Sequence, residues 1–140
     1  MSLSSLVASC LPDRDALALA REHSQCWEAW LSPISVDTPV GEDPGYDDDF
    51  QRMREEVNRL SGADVELVAQ LGQRLLQHAC KDLRVATYYL WARLHTDGEP
   101  GLADGLSLLA ALLERYSADI LPARPNSRKM ALEWLAGNRV

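Results

Sequence analysis

The feature that most constrains the fold is the spacing of the apolar side chains, which recur every three or four positions along most of the chain. This period is typical of amphipathic helices, and no segment alternates apolar and polar residues as a half-buried strand would. The connections between the later segments are short, which favours antiparallel neighbours. We therefore predict an all-α fold without a sheet, a bundle of about six to seven helices stacked as antiparallel helical hairpins. Stripes with this spacing cover residues 3–11, 13–31, 48–60, 64–80, 82–96, 102–116 and 127–135.

Short polar residues indicate where the helices begin, because their side chains accept hydrogen bonds from free N–H groups of a first turn. We expect caps at Asp47 or Asp48, Asp64, Asp82 and Ser127. The 82–96 segment is apolar on most sides, which predicts that it is the centre of the bundle. Gly105 within the next segment predicts a close approach by a neighbouring helix. The inward stripes are expected to include Phe50, Met53, Val57 and Leu60, and, in the last helix, Met130, Ala131, Trp134 and Leu135.

The longest break between helical segments runs from Ser32 to Tyr46 and is rich in proline and glycine. Such a composition excludes a helix and a central strand. Loops of this length are uncommon in small domains and are often functional. This loop is therefore the first candidate for a functional site.

An acidic cluster at the end of this loop is the candidate for chemistry: Glu42, Asp43, Asp47, Asp48 and Asp49. Its spacing does not match a calcium-binding loop, and Gln51 and Arg52 stand where a diphosphate-magnesium motif needs an acid. The aspartates are interpreted as caps at the positive end of a helix dipole. Two alternatives stay open: a recognition surface for a basic partner, and a small all-α metal-dependent enzyme that uses the acidic loop 42–49.

The rest of the chain has no enzyme signature. There is no nucleophile elbow and no glycine-rich phosphate loop, and the pairs His23/Cys26 and His78/Cys80 are too few for a zinc site. Trp27, Trp30, Trp91 and Trp134 fall at core spacing and are interpreted as packing anchors. We therefore expect no catalytic residue, no metal and no cofactor.

The net charge, the cysteines and the first residues indicate which partners and which cellular compartment to expect. The net charge is −7, from 14 basic and 21 acidic residues, and the basic residues are scattered, so nucleic acid is not expected as a ligand. The three cysteines have no framework spacing, the first residues lack a secretory signal, and no apolar run is long enough to cross a membrane. We expect a cytoplasmic protein without membrane insertion.

Several motifs, in order along the chain, resemble one known family. The first three have the forms L-x-P-I, P-x-G-E-D and Y-D-x-x-F, and the later ones K-D-L-R-V-A, G-L-x-x-G-L and L-L-E-R-Y. They occupy residues 31–34, 39–43, 46–50, 81–86, 101–106 and 112–116, and Ala131 to Leu135 match the expected ending. This series is similar to the ImpA-related N-terminal domain of TssA-type proteins of the type VI secretion system.

The resemblance implies a non-catalytic scaffold domain of cytoplasmic proteins that organise the baseplate and the tail tube and sheath. It implies protein partners there, and a homo-oligomer formed through a C-terminal region that this fragment lacks. A generic helical adaptor outside secretion stays as an alternative. We expect the family domain over residues 31–140, with residues 1–30 as a helical extension packed on it. The motif residues are candidates for interaction: Pro33, Pro39, Gly41, Glu42, Asp43, Tyr46, Asp47, Phe50, Lys81, Asp82 and Arg84.

One contact follows from these candidates. Asp82 would cap the central helix and leave Lys81 and Arg84 free to pair with carboxylates. We therefore predict that the loop around Glu42 and Asp43 meets Lys81 or Arg84, and that this contact holds the loop against the bundle.

Overall fold

Six α-helices account for most of residues 26–137, the part of the chain that the computed structural model describes. A short 3-10 turn, Pro44–Tyr46, precedes the second helix. No strand is present within these residues, which contain only two isolated bridges, and the all-α prediction is confirmed. The segments predicted as helices over residues 3–11 and 13–25 lie outside the described residues. The helices are α1 (Glu28–Leu31), α2 (Asp48–Val57), α3 (Val65–His78), α4 (Leu83–Asp97), α5 (Glu99–Tyr116) and α6 (Pro125–Ala136).

Aspartate caps begin three of these helices, as predicted. Asp47 accepts hydrogen bonds from the backbone N–H groups of Asp49 and Phe50, Asp64 from that of Leu67, and Asp82 from those of Arg84 and Val85. Each bond satisfies a first-turn N–H group that has no partner within its helix.

The cap predicted at Ser127 is wrong. The last helix, α6, begins at Pro125 and its N-cap position is Arg124, whose side chain makes no capping bond. Proline fits the first turn of a helix because its ring fixes a helical φ and its missing N–H would have had no partner. The helix therefore begins three residues earlier than a cap at Ser127 would place it.

Helix α4 is the centre of the bundle, as its uniformly apolar sequence predicts, and it packs against α2, α3, α5 and α6. Its contact with α5 is close at Gly105, where an added Cβ would lie 2.7 Å from Cγ of Leu90. That distance is shorter than any ordinary carbon contact. The predicted reason for this glycine, a close helix neighbour, is therefore confirmed.

Two of the predicted buried stripes include a residue that is exposed in the structure. Phe50, Met53 and Val57 are buried, but α2 ends at Val57, so Leu60 lies beyond the helix and is fully exposed. In α6 the fully buried position is Ala131, and Met130 remains 67% exposed. The tryptophans are buried or half-buried against the core, as expected.

Among the described helices, none combines the length and the apolar character needed to cross a membrane.

Candidate functional site: the acidic cleft

The loop that joins α1 to α2, residues 32–47, is folded by hydrogen bonds of its own. The Ile34 N–H donates to the Pro39 carbonyl oxygen over 2.8 Å, and the Gly41 N–H donates to that of Thr38 over 2.9 Å. The Ser35 and Thr38 hydroxyl oxygens lie 2.7 Å apart. These bonds give an irregular segment a defined shape without a helix or a sheet.

Gly41 attaches this loop to the segment between α3 and α4. It forms an isolated antiparallel bridge with Cys80, and the Lys81 N–H donates to the Val40 carbonyl oxygen over 2.7 Å. Gly41 has a φ of 75°, and an added Cβ would lie 2.0 Å from the Ala79 carbonyl oxygen. Because that approach is impossible for any side chain, this position of the P-x-G-E-D motif requires glycine.

Asp43 joins the loop to the N-terminus of α4. Its Oδ1 accepts a hydrogen bond from the Gly45 N–H over 2.9 Å and lies 3.2 Å from Nη2 of Arg84. The predicted contact between the acidic loop and Arg84 is therefore present. Glu42 is exposed at the edge of the loop.

Arg84 is the link between the loop, α4 and α2. Its guanidinium donates to both carboxylate oxygens of the buried Asp82, over 3.1 and 2.8 Å, and its Cζ lies 5.0 Å from the ring centre of Phe50. Burial disfavours the charged form, but the hydrogen bonds with Asp82 and Asp43 outweigh it and raise the pKa of Arg84. A permanently charged side chain with two acidic partners and an aromatic one is held in a single orientation.

The prediction that Lys81 is free to pair with a carboxylate is wrong. Its side chain is fully buried, and its Nζ donates to the carbonyl oxygens of Trp30 and Leu76, over 2.6 and 2.5 Å. Both carbonyls belong to last turns of helices, where no intrahelical donor reaches them. Burial lowers the pKa of Lys81 to about 8.

Lys81 therefore binds the ends of α1 and α3 together. The Tyr116 hydroxyl adds to this by donating to the Leu31 carbonyl oxygen over 2.6 Å. A helix of four residues has almost no stability of its own, so α1 depends on these long-range bonds. Nothing in the spacing of the sequence indicates this role.

Arg74 on α3 is a member of the site that sequence analysis did not find. Its Nη2 lies 3.2 Å from Oδ1 of Asp47, and its Nε contacts the carboxylate of Asp49. Arg74 is 27 residues from Asp47 and stands on an exposed helix face. No sequence signal distinguishes it from any other surface arginine.

Between the loop and α3 lies an open cleft of about 520 Å³, which we call the acidic cleft. Three carboxylates line it and no basic side chain does, and Tyr46 is fully exposed at its edge. Pro33 and Pro39 are also exposed on the loop. The lining residues are Ile34, Ser35, Thr38, Gly41, Glu42, Asp43, Pro44, Tyr46, Asp47 and Ala79.

The carboxylates of the 42–49 cluster point to separate partners. Asp43 faces Arg84, while Asp47 and Asp49 face Arg74. Within residues 26–137, no group of three or more His, Cys, Asp or Glu side chains is arranged to hold a metal ion.

Comparison with known proteins agrees with this architecture. A family model described as "ImpA, N-terminal, type VI secretion system" matches residues 31–137. This chain belongs to that family. The resemblance inferred from the motifs is thus confirmed, and the loop, Gly41 and the K-D-L-R segment lie within an ImpA N-terminal domain.

Two relatives support the assignment. The type VI secretion system component TssA1 of Pseudomonas aeruginosa is 34% identical over 104 residues, which cover 66% of this chain and 30% of TssA1. A solved structure, the N-terminal domain including the conserved ImpA_N region of the TssA component from Burkholderia cenocepacia, superposes with a TM-score of 0.73 at 28% identity. That match covers 78% of this chain and 45% of the other. The chain thus spans less than half the length of either relative.

Proposed function

We propose that this ImpA N-terminal domain is a non-catalytic interaction domain of a TssA-like protein, and that its acidic cleft binds a basic segment of a partner in the baseplate or sheath. The observation that carries the proposal is the composition of the cleft: three carboxylates, no base, and one fully exposed tyrosine at the edge. Tyrosine is among the residues that most often dominate binding at protein interfaces.

The contacts that hold the loop in place favour binding of a partner at the cleft. Asp43 and Asp47 contact α4 and α3, and Gly41 is held by the segment between these helices, so binding would not require the loop to order itself. A preformed surface loses less conformational entropy on binding and therefore binds more tightly. Glu42, which is exposed and forms none of the ion pairs found among residues 26–137, would also attract a basic partner from a distance.

The broader parts of the proposal rest on the relatives, which are named as components of the type VI secretion system. We place the protein in the cytoplasm. We expect the full-length protein to form a homo-oligomer through a C-terminal region. Family membership replaces the alternative of a generic adaptor outside secretion.

A binding experiment tests the role of the cleft. The double variant Glu42→Lys/Tyr46→Ala changes two exposed side chains at the cleft, and Leu60→Ala changes an equally exposed side chain outside it. Each protein is immobilised and tested against purified baseplate and sheath subunits of the same bacterium. We expect the double variant to lose about tenfold or more in affinity for one subunit, since loss of a hot-spot tyrosine alone has this effect.

The control and the salt dependence complete the test. Leu60→Ala should bind as the unchanged protein does, and raising the salt concentration should weaken binding through the cleft. The proposal fails if the double variant binds every subunit with unchanged affinity, or if both variants lose affinity equally.

The alternative of a metal-dependent enzyme has its own test. A bound ion stabilises the folded state, so magnesium, calcium or zinc would raise the melting temperature if the 42–49 loop bound one of them. Because Asp43, Asp47 and Asp49 are paired with arginines, we expect no change with any of the three.

A further inference from the structure

A second opening lies between α2, α4 and α6, and we call it the arginine groove. It has a volume of about 290 Å³ and is lined by Arg54, Arg84, Thr87, Tyr88, Ser127, Met130, Ala131 and Trp134. The lining includes two arginines and no carboxylate, although the whole chain carries a net charge of −7. The groove therefore differs in charge both from the acidic cleft and from the protein as a whole.

The aromatic side chains of the groove form one connected cluster. Tyr88 stacks on Phe50, with ring centres 6.3 Å apart, and Trp134 meets Tyr88 edge-on, with ring centres 5.0 Å apart. Trp134 is only half-buried, and Met130 beside it is 67% exposed. An exposed methionine next to an aromatic cluster offers an adaptable surface to an apolar side chain.

The charge of the groove comes mainly from Arg54. Arg84 is already paired with Asp82 and Asp43, whereas Arg54 contacts the ring of Phe50, with its Cζ 5.6 Å from the ring centre. None of the ion pairs among residues 26–137 involves Arg54. Its guanidinium can therefore donate two parallel hydrogen bonds to the oxygens of a carboxylate.

We propose that the arginine groove binds an acidic segment of a partner protein, with a large apolar side chain of that segment against Met130 and Trp134 and a carboxylate on Arg54. The argument is charge complementarity together with the exposed apolar surface at the same place. The proposal does not depend on the acidic cleft, because the two openings attract segments of opposite charge.

Labelled peptides provide the probe. Three dodecapeptides are compared by fluorescence anisotropy with the whole chain: one of glutamate and leucine at helical spacing, one of lysine and leucine, and one of glutamate and serine. We expect the glutamate–leucine peptide to bind the groove, and the glutamate–serine peptide to bind at least about tenfold more weakly because it lacks the apolar contact.

Matched variants locate the site. Arg54→Glu and Met130→Glu should each weaken binding of the glutamate–leucine peptide about tenfold or more. Arg52→Glu makes the same charge change on α2, and Leu132→Glu the same substitution type on α6, at positions that do not line the groove. Both controls should change the affinity less than threefold.

Four results would overturn the proposal. The first is no binding of the glutamate–leucine peptide, and the second is an equal loss in Arg54→Glu and Arg52→Glu, which would indicate general electrostatics. The third is a dimer in sedimentation that Arg54→Glu abolishes, because the occupant would then be a second copy. The fourth is tighter peptide binding in Leu6→Glu, a change within the apolar stripe of residues 3–11, because the occupant would then be the amino-terminal residues of the same chain.

Discussion

The acidic cleft and the arginine groove are connected through Arg84 and are built in different ways. The cleft is formed by an irregular loop that a glycine, a backbone bridge and a few ion pairs attach to the bundle. The groove is formed by side chains of three packed helices. Arg84 belongs to both, since it lines the groove and binds Asp43 of the cleft. We therefore expect the cleft to depend on single irreplaceable contacts and the groove to depend on the general packing of the core.

The largest expected effect is that of Gly41→Ala. A Cβ at this position would lie 2.0 Å from the Ala79 carbonyl oxygen, at a φ of 75°, so the loop must leave its place. We expect a loss of about 3 kcal/mol in the free energy of unfolding, measured by urea denaturation. In the folded fraction, peptide binding at the groove should remain.

Gly62→Ala is the matched control, because Gly62 has a φ of 71° but nothing lies within 4 Å of an added Cβ. It should cost only about 1 kcal/mol, the usual effect of a left-handed backbone alone. Equal losses of unfolding free energy in the two variants would mean that the close contact of Gly41 with Ala79 contributes nothing to stability.

The next effect is that of Arg84→Met, which removes the residue that the two regions share. The buried carboxylate of Asp82 would lose its guanidinium partner while keeping its backbone bonds, and we expect a loss of about 2–3 kcal/mol in urea denaturation. Arg74→Met removes an exposed arginine from Asp47 and Asp49 and should cost less than about 1 kcal/mol. If Arg74→Met lost more unfolding free energy than Arg84→Met, Arg84 would not be the main link between the loop and the helices.

The buried Lys81 side chain makes the free energy of unfolding depend on pH. Its pKa in the folded protein is about 8, against 10.5 in an exposed lysine, so between these values the unfolded chain binds more protons. Stability should therefore rise by about 1 kcal/mol from pH 8 to pH 9 and show no such slope below pH 8. The measurement is urea denaturation across this range, and Lys81→Met should remove the rise.

The buried thiol of Cys80 has the opposite effect on stability at higher pH. Burial raises the pKa of its thiol from 9.0 to about 12, so the folded protein keeps a proton that the unfolded chain loses. Between pH 9 and 10.5 this loss opposes the gain from Lys81, so stability should level off there and fall only above about pH 10.5. A Cys80→Ala variant, which lacks this buried thiol, should continue to gain stability beyond pH 9, and identical pH profiles in both proteins would contradict this assignment.

The smallest effect on stability is expected for Asp43→Ala. Its side chain is 56% exposed, so its pair with Arg84 and its bond to the Gly45 N–H should together contribute about 0.5–1 kcal/mol. Asp37→Ala, at an exposed position of the same loop outside the cleft lining, should change nothing. Unchanged stability in Asp43→Ala would contradict the idea that Asp43 holds the loop.

Much of the fold was predictable because its signals are local. The apolar spacing of α3 and α4 and the aspartates at their starts lie within a few residues of the bonds that they make, so their positions follow from the sequence. The contact of the acidic loop with the start of α4 was predicted only as one between Glu42 or Asp43 and Lys81 or Arg84, and the structure shows that the pair is Asp43 with Arg84. Even the two wrong expectations at helix ends, Leu60 and Ser127, concern a shift of three residues.

The tertiary structure alone decided which side chains meet across the bundle. The Lys81 side chain reaches the Trp30 carbonyl 51 residues away, and Arg74 reaches Asp47 across 27 residues. A repeating pattern tells which residues share one side of a helix, but not which neighbour covers that side. That choice depends on how all the helices pack together. For this reason most helices and the three aspartate caps could be derived from the sequence, whereas the buried role of Lys81 and the two openings that Arg84 connects could not.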